Sequence, residues 1–469
     1  MDVATVELQA DEIQGNILAG FKNEYITFVF LELSGEAPRA RAWLADVIPD
    51  VATTTEVKIF NEYFRLARHS GAGDPEASWM NLALTHSGLR ALGVDGAELD
   101  QLPAEFQQGM RARAEQIGDT GDDAPANWPH CLGSASIHAL LIVADDDPAR
   151  RNTKVSEFLQ RARSRGARCI FREDGLRRER KREFEHFGYR DGISQPAIEG
   201  FTESARPGQA FVQPGEFVLG YPGASSGTSV HDLLNPQPMW LKNGSFLVFR
   251  RLRQNVRGFN EFVDKTAEQT KLSSVLLRAK LVGRYPSGAP LVGARQNQED
   301  PGLVQPALLE TDKINDFTYK RDPDGTDVPR AAHIRKANPR VRRLAGEDVR
   351  RRRILRRGIP YGREFRSDRR AESAYGDETD RGMCFVCYQR SIADQFEHIQ
   401  REWMNTDSHP HENDGIDPLA TQVPGSRYCA IPGAAGSPIQ LGDVWVTTTA
   451  GEYFFAPSIT AMKQFARVG

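Results

Sequence analysis

The stretch YITFVFLEL (Tyr25–Leu33) decides the fold class. It is rich in β-branched and aromatic residues and reads as a buried strand. A helical pattern follows, with Ala40, Trp43, Leu44 and Val47 at the i, i+3, i+4, i+7 spacing of one face. SIHALLIVAD (Ser136–Asp145) is another strand, and Val155, Phe158, Leu159 and Ala162 behind it repeat the helical spacing. The second half of the chain runs in the same order. GSFLVFRRL (Gly244–Leu252) is a strand followed by a helix marked by Val256, Phe259 and Val263. CFVCYQR (Cys384–Arg390) is a strand followed by a helix with Ile392, Phe396, Ile399 and Trp403 along one face. Two units of one plan imply an internally duplicated α+β protein, each unit a sheet with helices on one face. The boundary falls in YPGASSGTSVHDLLNPQP (Tyr221–Pro238), dividing the chain into residues 1–230 and 231–469. From about Asn297 to Arg340 the chain is polar, Pro-rich and weakly periodic, a length of irregular chain more often functional than idle.

The bulk numbers fit that division. A chain of 469 residues is too long for one simple core. With 39% hydrophobic and 9% aromatic residues it is globular rather than disordered. A formal charge of -3 gives no general pull toward nucleic acid or membrane. No segment approaches the ~20 apolar residues of a membrane span. The N-terminal MDVATVELQADEIQGNIL has acids where a signal peptide needs a basic start and an apolar run, so a cytoplasmic location is expected. Five cysteines argue against a disulfide framework. Cys384 and Cys387 form a CxxC without a second pair for zinc, inside a strand-like run, and read as core.

Three segments carry chemistry-bearing residues. HFGYRDGISQP (His186–Pro196) holds Asp191 between Gly188 and Gly192, with Arg190 beside it. It is either a surface turn or a carboxylate held against a ligand that only glycine lets come close. His333 lies in AAHIRKANPR (Ala331–Arg340) among cations. It is either part of a solvated basic loop or a single axial metal ligand, which suffices only when a macrocycle supplies the rest. In RRRILRRGIPYG (Arg351–Gly362), apolar residues interrupt the charges and imply at least one buried arginine that needs an anion. The Arg-rich FREDGLRRERKRE (Phe171–Glu183) and RRLAGEDVRRRR (Arg342–Arg353) lack interleaved aromatics. They read as solvated helix faces rather than a nucleic-acid site.

Together these segments resemble the dye-decolourising peroxidase family of haem enzymes. GYRDG (Gly188–Gly192) is similar to its GxxDG signature, AHIRKANPR to its proximal-histidine segment, and ILRRGIPYG to the segment of its distal arginine. DEIQGNIL (Asp11–Leu18), MNLALTHSGLRALG (Met80–Gly93) and CFVCYQRSIADQFEHIQREW (Cys384–Trp403) extend the resemblance over nearly the whole chain. Length and the N-terminus are most similar to the longer bacterial members. The resemblance implies two ferredoxin-like domains of the dimeric α–β barrel type and one haem b per chain. It also implies reduction of hydrogen peroxide through a ferryl intermediate, with dyes and phenols as one-electron donors. The alternative on the same fold is a haem-binding or iron-releasing protein with little turnover.

Carried over to this sequence, the resemblance makes His333 the axial iron ligand, Asp191 the distal acid–base group, and Arg356, rather than Arg357, the distal cation. Arg335 is expected to face a propionate, and Gly188, Gly192 and Phe385 to line the cofactor, the glycines because a Cβ would clash with it. Glu397, in preference to Asp394, is expected to hydrogen-bond the far nitrogen of His333. With an aspartate of ordinary pKa ~3.9 as base, turnover should favour acidic pH. Trp240, Trp403, Trp445, Tyr361 and Tyr453 are candidate surface oxidation sites for bulky dyes. Cys384 and Cys387 are expected near the haem, where a thiol is an oxidation risk. No nucleic-acid or membrane partner is expected, and the state is a monomer or homo-oligomer.

Overall fold

A computed structural model of the chain describes residues 7–71, 75–129, 132–177, 183–224, 229–292, 312–344, 346–365, 379–422, 427–442 and 444–467. Cys131, residues 297–311 of the irregular stretch and residues 178–182 of the first Arg-rich run lie outside them.

Nine segments build the main sheet. The first half contributes β1 (Tyr25–Glu32), β2 (Ser78–Leu84), β3 (Ala139–Asp145) and β4 (Arg168–Leu176). The second contributes β5 (Ser245–Gln254), β6 (Leu355–Arg356), β7 (Ile359–Tyr361), β8 (Gly382–Gln389) and β9 (Val446–Ala456). β6 and β7 pair with β8 in one uninterrupted register, so they act as one strand broken at Arg357 and Gly358. In the first half the antiparallel order is β4-β1-β3-β2. In the second it is β9-β5-β8-β6/β7, the same fourth-first-third-second order. The duplication read from hydrophobic pattern is thus a duplication of topology, and each half is ferredoxin-like.

The two sheets are not separate. β7 pairs with β4 at Tyr361 and Gly175, and β9 pairs with β2 at Phe455 and Leu84. The fourth strand of each half therefore meets the second of the other, and the sheet closes into a barrel. Gly175 sits on the seam, where a Cβ would run into the Ile359 side chain.

Strand periodicity sorts residues to two sides. Ile26, Phe28, Phe30, Phe249, Cys384, Val386 and Phe454 fill the barrel interior. Val29, Leu31, Leu141 and Val143 face outward under Trp43, Leu44 and Phe158 of the covering helices Ala37–Val47 and Pro148–Ser164, and Val248 and Phe455 join the same outer core, Phe455 against Trp240 and Phe246. Both faces being buried explains why β1 reads as an unbroken apolar run. Among the described residues no helix is long and apolar enough to cross a membrane.

Candidate active site

On the outer face of the second-half sheet, Leu252 and Gln254 of β5, Met383 and Phe385 of β8, and Val446 of β9 line a cavity of about 340 Å³. Its other walls are the loop Glu185–Pro196, the short helix α1 (His333–Ala337), the segment Arg352–Arg356, and the helical turns after β8. Those turns, Ile392–Glu397 and Ile399–Met404, are wound as π-helix, which is rare and frequent at functional sites. Phe396, Ile399, Gln400 and Met404 all face the cavity from them. His333, Asp191, Arg356, Gly192 and Phe385 line this one cavity, while Gly188, Arg335, Glu397 and Asp394 do not.

Asp191 leaves a tight turn in which Gly188 (φ +93°) and Gly192 (φ +74°) take left-handed backbone conformations. Among the described residues, a Cβ at either glycine would meet no atom within 4 Å beyond its chain neighbours. The left-handed backbone accounts for a glycine at both positions, and the space beside them leaves room for the close approach expected. Asp191 Oδ1 accepts the Gly192 N–H at 2.6 Å and Arg356 Nη1 at 3.1 Å, and Arg356 Nη2 points at the Ser194 carbonyl at 3.4 Å. The Asp191 side chain is 40% accessible because it faces the cavity from deep within the fold. Burial pushes its carboxyl up, but the Arg356 guanidinium, the Gly192 N–H and nearby His333 outweigh burial and hold it below the usual carboxylate value.

His333 opens α1, and its Nδ1–H donates to Asp417 Oδ2 at 2.9 Å. That bond fixes the tautomer and leaves the Nε2 lone pair as the one able to bind a metal. Asp417 is fully buried, and its Oδ1 accepts the N–H groups of Leu419 and Ala420 at 2.9 and 2.7 Å. Burial opposes the Asp417 charge, yet His333 and those two N–H groups hold its carboxyl below the usual value. Burial likewise opposes a protonated His333, and Asp417 outweighs it, raising the histidine.

Asp417 therefore stands where Glu397 or Asp394 was expected. Glu397 is spent on Arg113, bonded through Nε at 2.5 Å and Nη2 at 2.6 Å, and on the Tyr453 hydroxyl at 2.9 Å. Asp394 pairs with Arg351 and Arg352. The i, i+3 spacing of two acids on a helix singled them out, but they lie on the far side of the cavity wall. Asp417, in DGIDPLA, shares that i, i+3 spacing with Asp414, but it lies in an irregular Gly- and Pro-containing stretch where no helical pattern marks it.

Arg335 is likewise turned away. It is buried against Asp322 at 3.0 Å and the Val328 carbonyl at 2.7 Å, with its guanidinium 4.5 Å over the Tyr319 ring. Beside Arg356 the cavity is lined by Arg190, Arg250 and Arg352, which pair with Glu183, Asp119 and Glu347, and by Arg284, Arg340 and Arg353. Among the described residues Arg284, Arg340 and Arg353 have no carboxylate partner. Arg284 and Arg340 instead donate to Asn315 and to backbone carbonyls. Burial first, and then Arg340 and Arg356, lower both Arg284 and Arg353 to about 10. Such a group of buried and half-buried cations is short of anions.

Neither cysteine of the CxxC lines the cavity: Cys384 points into the barrel, and Cys387 is fully buried under the outer core. The aromatics expected at the surface are core: Trp240, Trp403, Trp445, Tyr361 and Tyr453 are each at most 6% accessible.

Comparison with known proteins agrees with this geometry. Residues 12–177 match the family model of the DyP dimeric alpha+beta barrel domain, and residues 224–435 that of the Dyp-type peroxidase C-terminal part. A dye-decolorizing peroxidase of Mycetinis scorodonius is 31% identical over 97% of this chain and 87% of its own length. A multifunctional dye peroxidase of Amycolatopsis is 29% identical over 97% and 95%. The solved structure of an ancestral D-type dye decolorizing peroxidase superposes with a TM-score of 0.85 at 32% identity, covering 99% of this chain and all of that one. A dye-decolorizing peroxidase in complex with 2,6-dimethoxyphenol superposes at 0.82 with 29% identity, covering 98% and 100%. With both halves matched and the relatives spanned nearly end to end, the chain belongs to the dye-decolorizing peroxidase family.

Proposed function

We propose that this peroxidase holds one haem b in the cavity, with His333 as axial ligand on one side and Asp191 and Arg356 on the other. The observation that carries the reading is the meeting of these side chains at one cavity, with Asp191 and Arg356 in contact although 165 residues apart in sequence. The donor set fits an iron porphyrin and not a bare metal ion. One imidazole has its lone pair fixed, and no group of three or more metal-ligating side chains exists among the described residues. Arg284, Arg340 and Arg353, without carboxylate partners there, suit the propionates, the part first assigned to Arg335.

Haem, when bound, supplies an iron centre that takes two oxidising equivalents from peroxide and returns them to donors one electron at a time. Asp191 moves the proton. Both of its described hydrogen bonds fall on Oδ1, so Oδ2 takes the proton from one peroxide oxygen and delivers it to the other, which leaves as water. Arg356 sits where negative charge gathers on the leaving oxygen and keeps Asp191 ionised beforehand. Asp417 orients the imidazole and gives it anionic character.

Phenols and dyes are the donors this reading assigns, supported by the phenol held in a related structure. A cytoplasmic location belongs to the same reading, supported by free thiols at Cys384, Cys387 and Cys429. So does a division of the chain near residue 230, between the end of β4 and the start of β5. The test is stopped-flow mixing of haem-loaded protein with peroxide. Asp191→Asn is expected to slow the first spectral change by about 10²- to 10⁴-fold with haem content unchanged. An unchanged rate would remove Asp191 from the reaction.

A further inference from the structure

The turn that carries Asp191 also contains Glu185, a second carboxylate lining the cavity and one that no step above uses. Its Oε2 accepts the Phe187 N–H at 2.8 Å and Gln254 Nε2 at 2.7 Å, and its Oε1 accepts the Tyr189 N–H at 2.8 Å. Around it the backbone folds into a closed hairpin. Glu185 N–H donates to the Tyr189 carbonyl at 2.9 Å and Gly188 N–H to the Glu185 carbonyl at 3.0 Å. Phe184 bridges Arg190, and the Asp191 N–H reaches the Glu183 carbonyl at 2.8 Å. The Glu185 carboxylate fills the centre of this hairpin and Asp191 is the residue at its exit. Gln254 belongs to β5, so the same carboxylate ties the hairpin to the cavity floor.

The bonds are specific to a carboxylate. Among the described residues three donors converge on its two oxygens, and without those oxygens the inward-facing N–H groups of Phe187 and Tyr189 would lose their acceptor. Outside the hairpin, the Tyr189 hydroxyl bonds the Arg278 carbonyl at 3.0 Å and the Arg190 N–H the Pro286 carbonyl at 2.9 Å. These anchor the outer side of the turn and leave its inner side to Glu185.

We propose that Glu185 is a positioning residue for the peroxide step: it holds the hairpin in the shape that delivers Asp191 to Arg356 and over the cavity. The proposal rests on Asp191 as the acid–base group. Glutamine at 185 keeps the size of the side chain but sets an NH₂ donor against a backbone N–H or against Gln254.

The experiment compares haem-loaded Glu185→Gln, Asp191→Asn and unaltered protein. For Glu185→Gln, kcat/KM for peroxide is expected to fall by about 10- to 100-fold, the effect of a misplaced reacting group. kcat/KM for 2,6-dimethoxyphenol and haem per chain should stay within about twofold, because donor oxidation does not use Asp191. Amide hydrogen exchange over residues 183–192 should quicken. An equal loss in the peroxide and donor steps overturns the proposal, as does an unchanged peroxide step. Should Glu185→Gln not fold, Gln254→Met removes one of the three donors and is expected to slow the peroxide step several-fold; no slowing overturns the proposal. A fast Asp191→Asn enzyme removes the acid–base reading itself. A slow Asp191→Asn beside a normal Glu185→Gln removes the positioning role alone.

Discussion

Arg356 and Arg357 are adjacent, carry the same side chain and face opposite ways. The register of β6 and β7 on β8 is continuous, so successive residues alternate between the barrel interior and the cavity side. Arg357 falls on the side of Leu355 and Ile359 and donates to the carbonyls of Asn16, Ile17 and Leu18. Arg356 falls on the side of Phe385 and reaches Asp191. This contact sets a pH dependence. Asp191 acts as a base only when ionised, and with its carboxyl held below the usual value it stays ionised into acid. Arg356→Leu removes the largest of the opposing effects and leaves burial to push the carboxyl up. The acid limb of kcat/KM for peroxide should then move to higher pH, and the rate at the optimum should fall by about 10²- to 10³-fold. A limb that keeps its place in the variant's pH–rate profile would mean that another group controls it. At this scale composition only flagged the segments of Asp191, His333 and Arg356, with a plain reading open at each, and it was their resemblance to a family's motifs that pointed to the cavity they share. Asp417 was not legible, because a single buried acid acquires its role only from the histidine that folding brings 2.9 Å away.

The turn before Asp191 is the element on which the site depends. Its two positive-φ glycines stand in open surroundings, so a methyl group at either meets backbone strain and not a clash. Gly192→Ala should cost about 1–2 kcal/mol locally, the penalty of a left-handed alanine. Relief of that strain would rotate the neighbouring Asp191 away from Arg356. The expected result is a small drop in Tm with a disproportionate drop in peroxide reactivity; a variant equally fast with peroxide would show that the turn tolerates either shape. The elements themselves were largely legible. Tyr25–Leu33 is a strand at Tyr25–Glu32, and Cys384–Arg390 lies on Gly382–Gln389. Ala40, Trp43, Leu44 and Val47 are all buried on their helix. The winding after β8 was not legible. The spacing of Ile392, Phe396, Ile399 and Trp403 suits an α-helix, but the chain widens to π-helix and so presents Phe396, Ile399, Gln400 and Met404 to one cavity.

At the scale of the whole molecule, the halves share a single closed sheet. Hydrophobic period reveals strands one at a time and says nothing of which distant strands pair. The seams at Tyr361–Gly175 and Phe455–Leu84 were therefore beyond it. Phe30 of the first half packs on Phe249 and Phe454 of the second, with ring centroids 5.0 and 6.3 Å apart. Shared core and shared hydrogen bonds make the barrel one cooperative unit. Calorimetry should give one unfolding transition for the barrel, which Phe30→Ala lowers as a whole by about 3–5 kcal/mol; two separable transitions would show independent halves. The cavity lies outside that barrel, where residues from both sides of position 230 meet, and the account stands or falls on what it holds. The most direct test is titration of haem into the protein, followed at the Soret band, in the unaltered chain and in His333→Ala. The account predicts saturation at one haem per chain with an imidazole-ligated spectrum that His333→Ala loses. The same stoichiometry and spectrum in both proteins would contradict it.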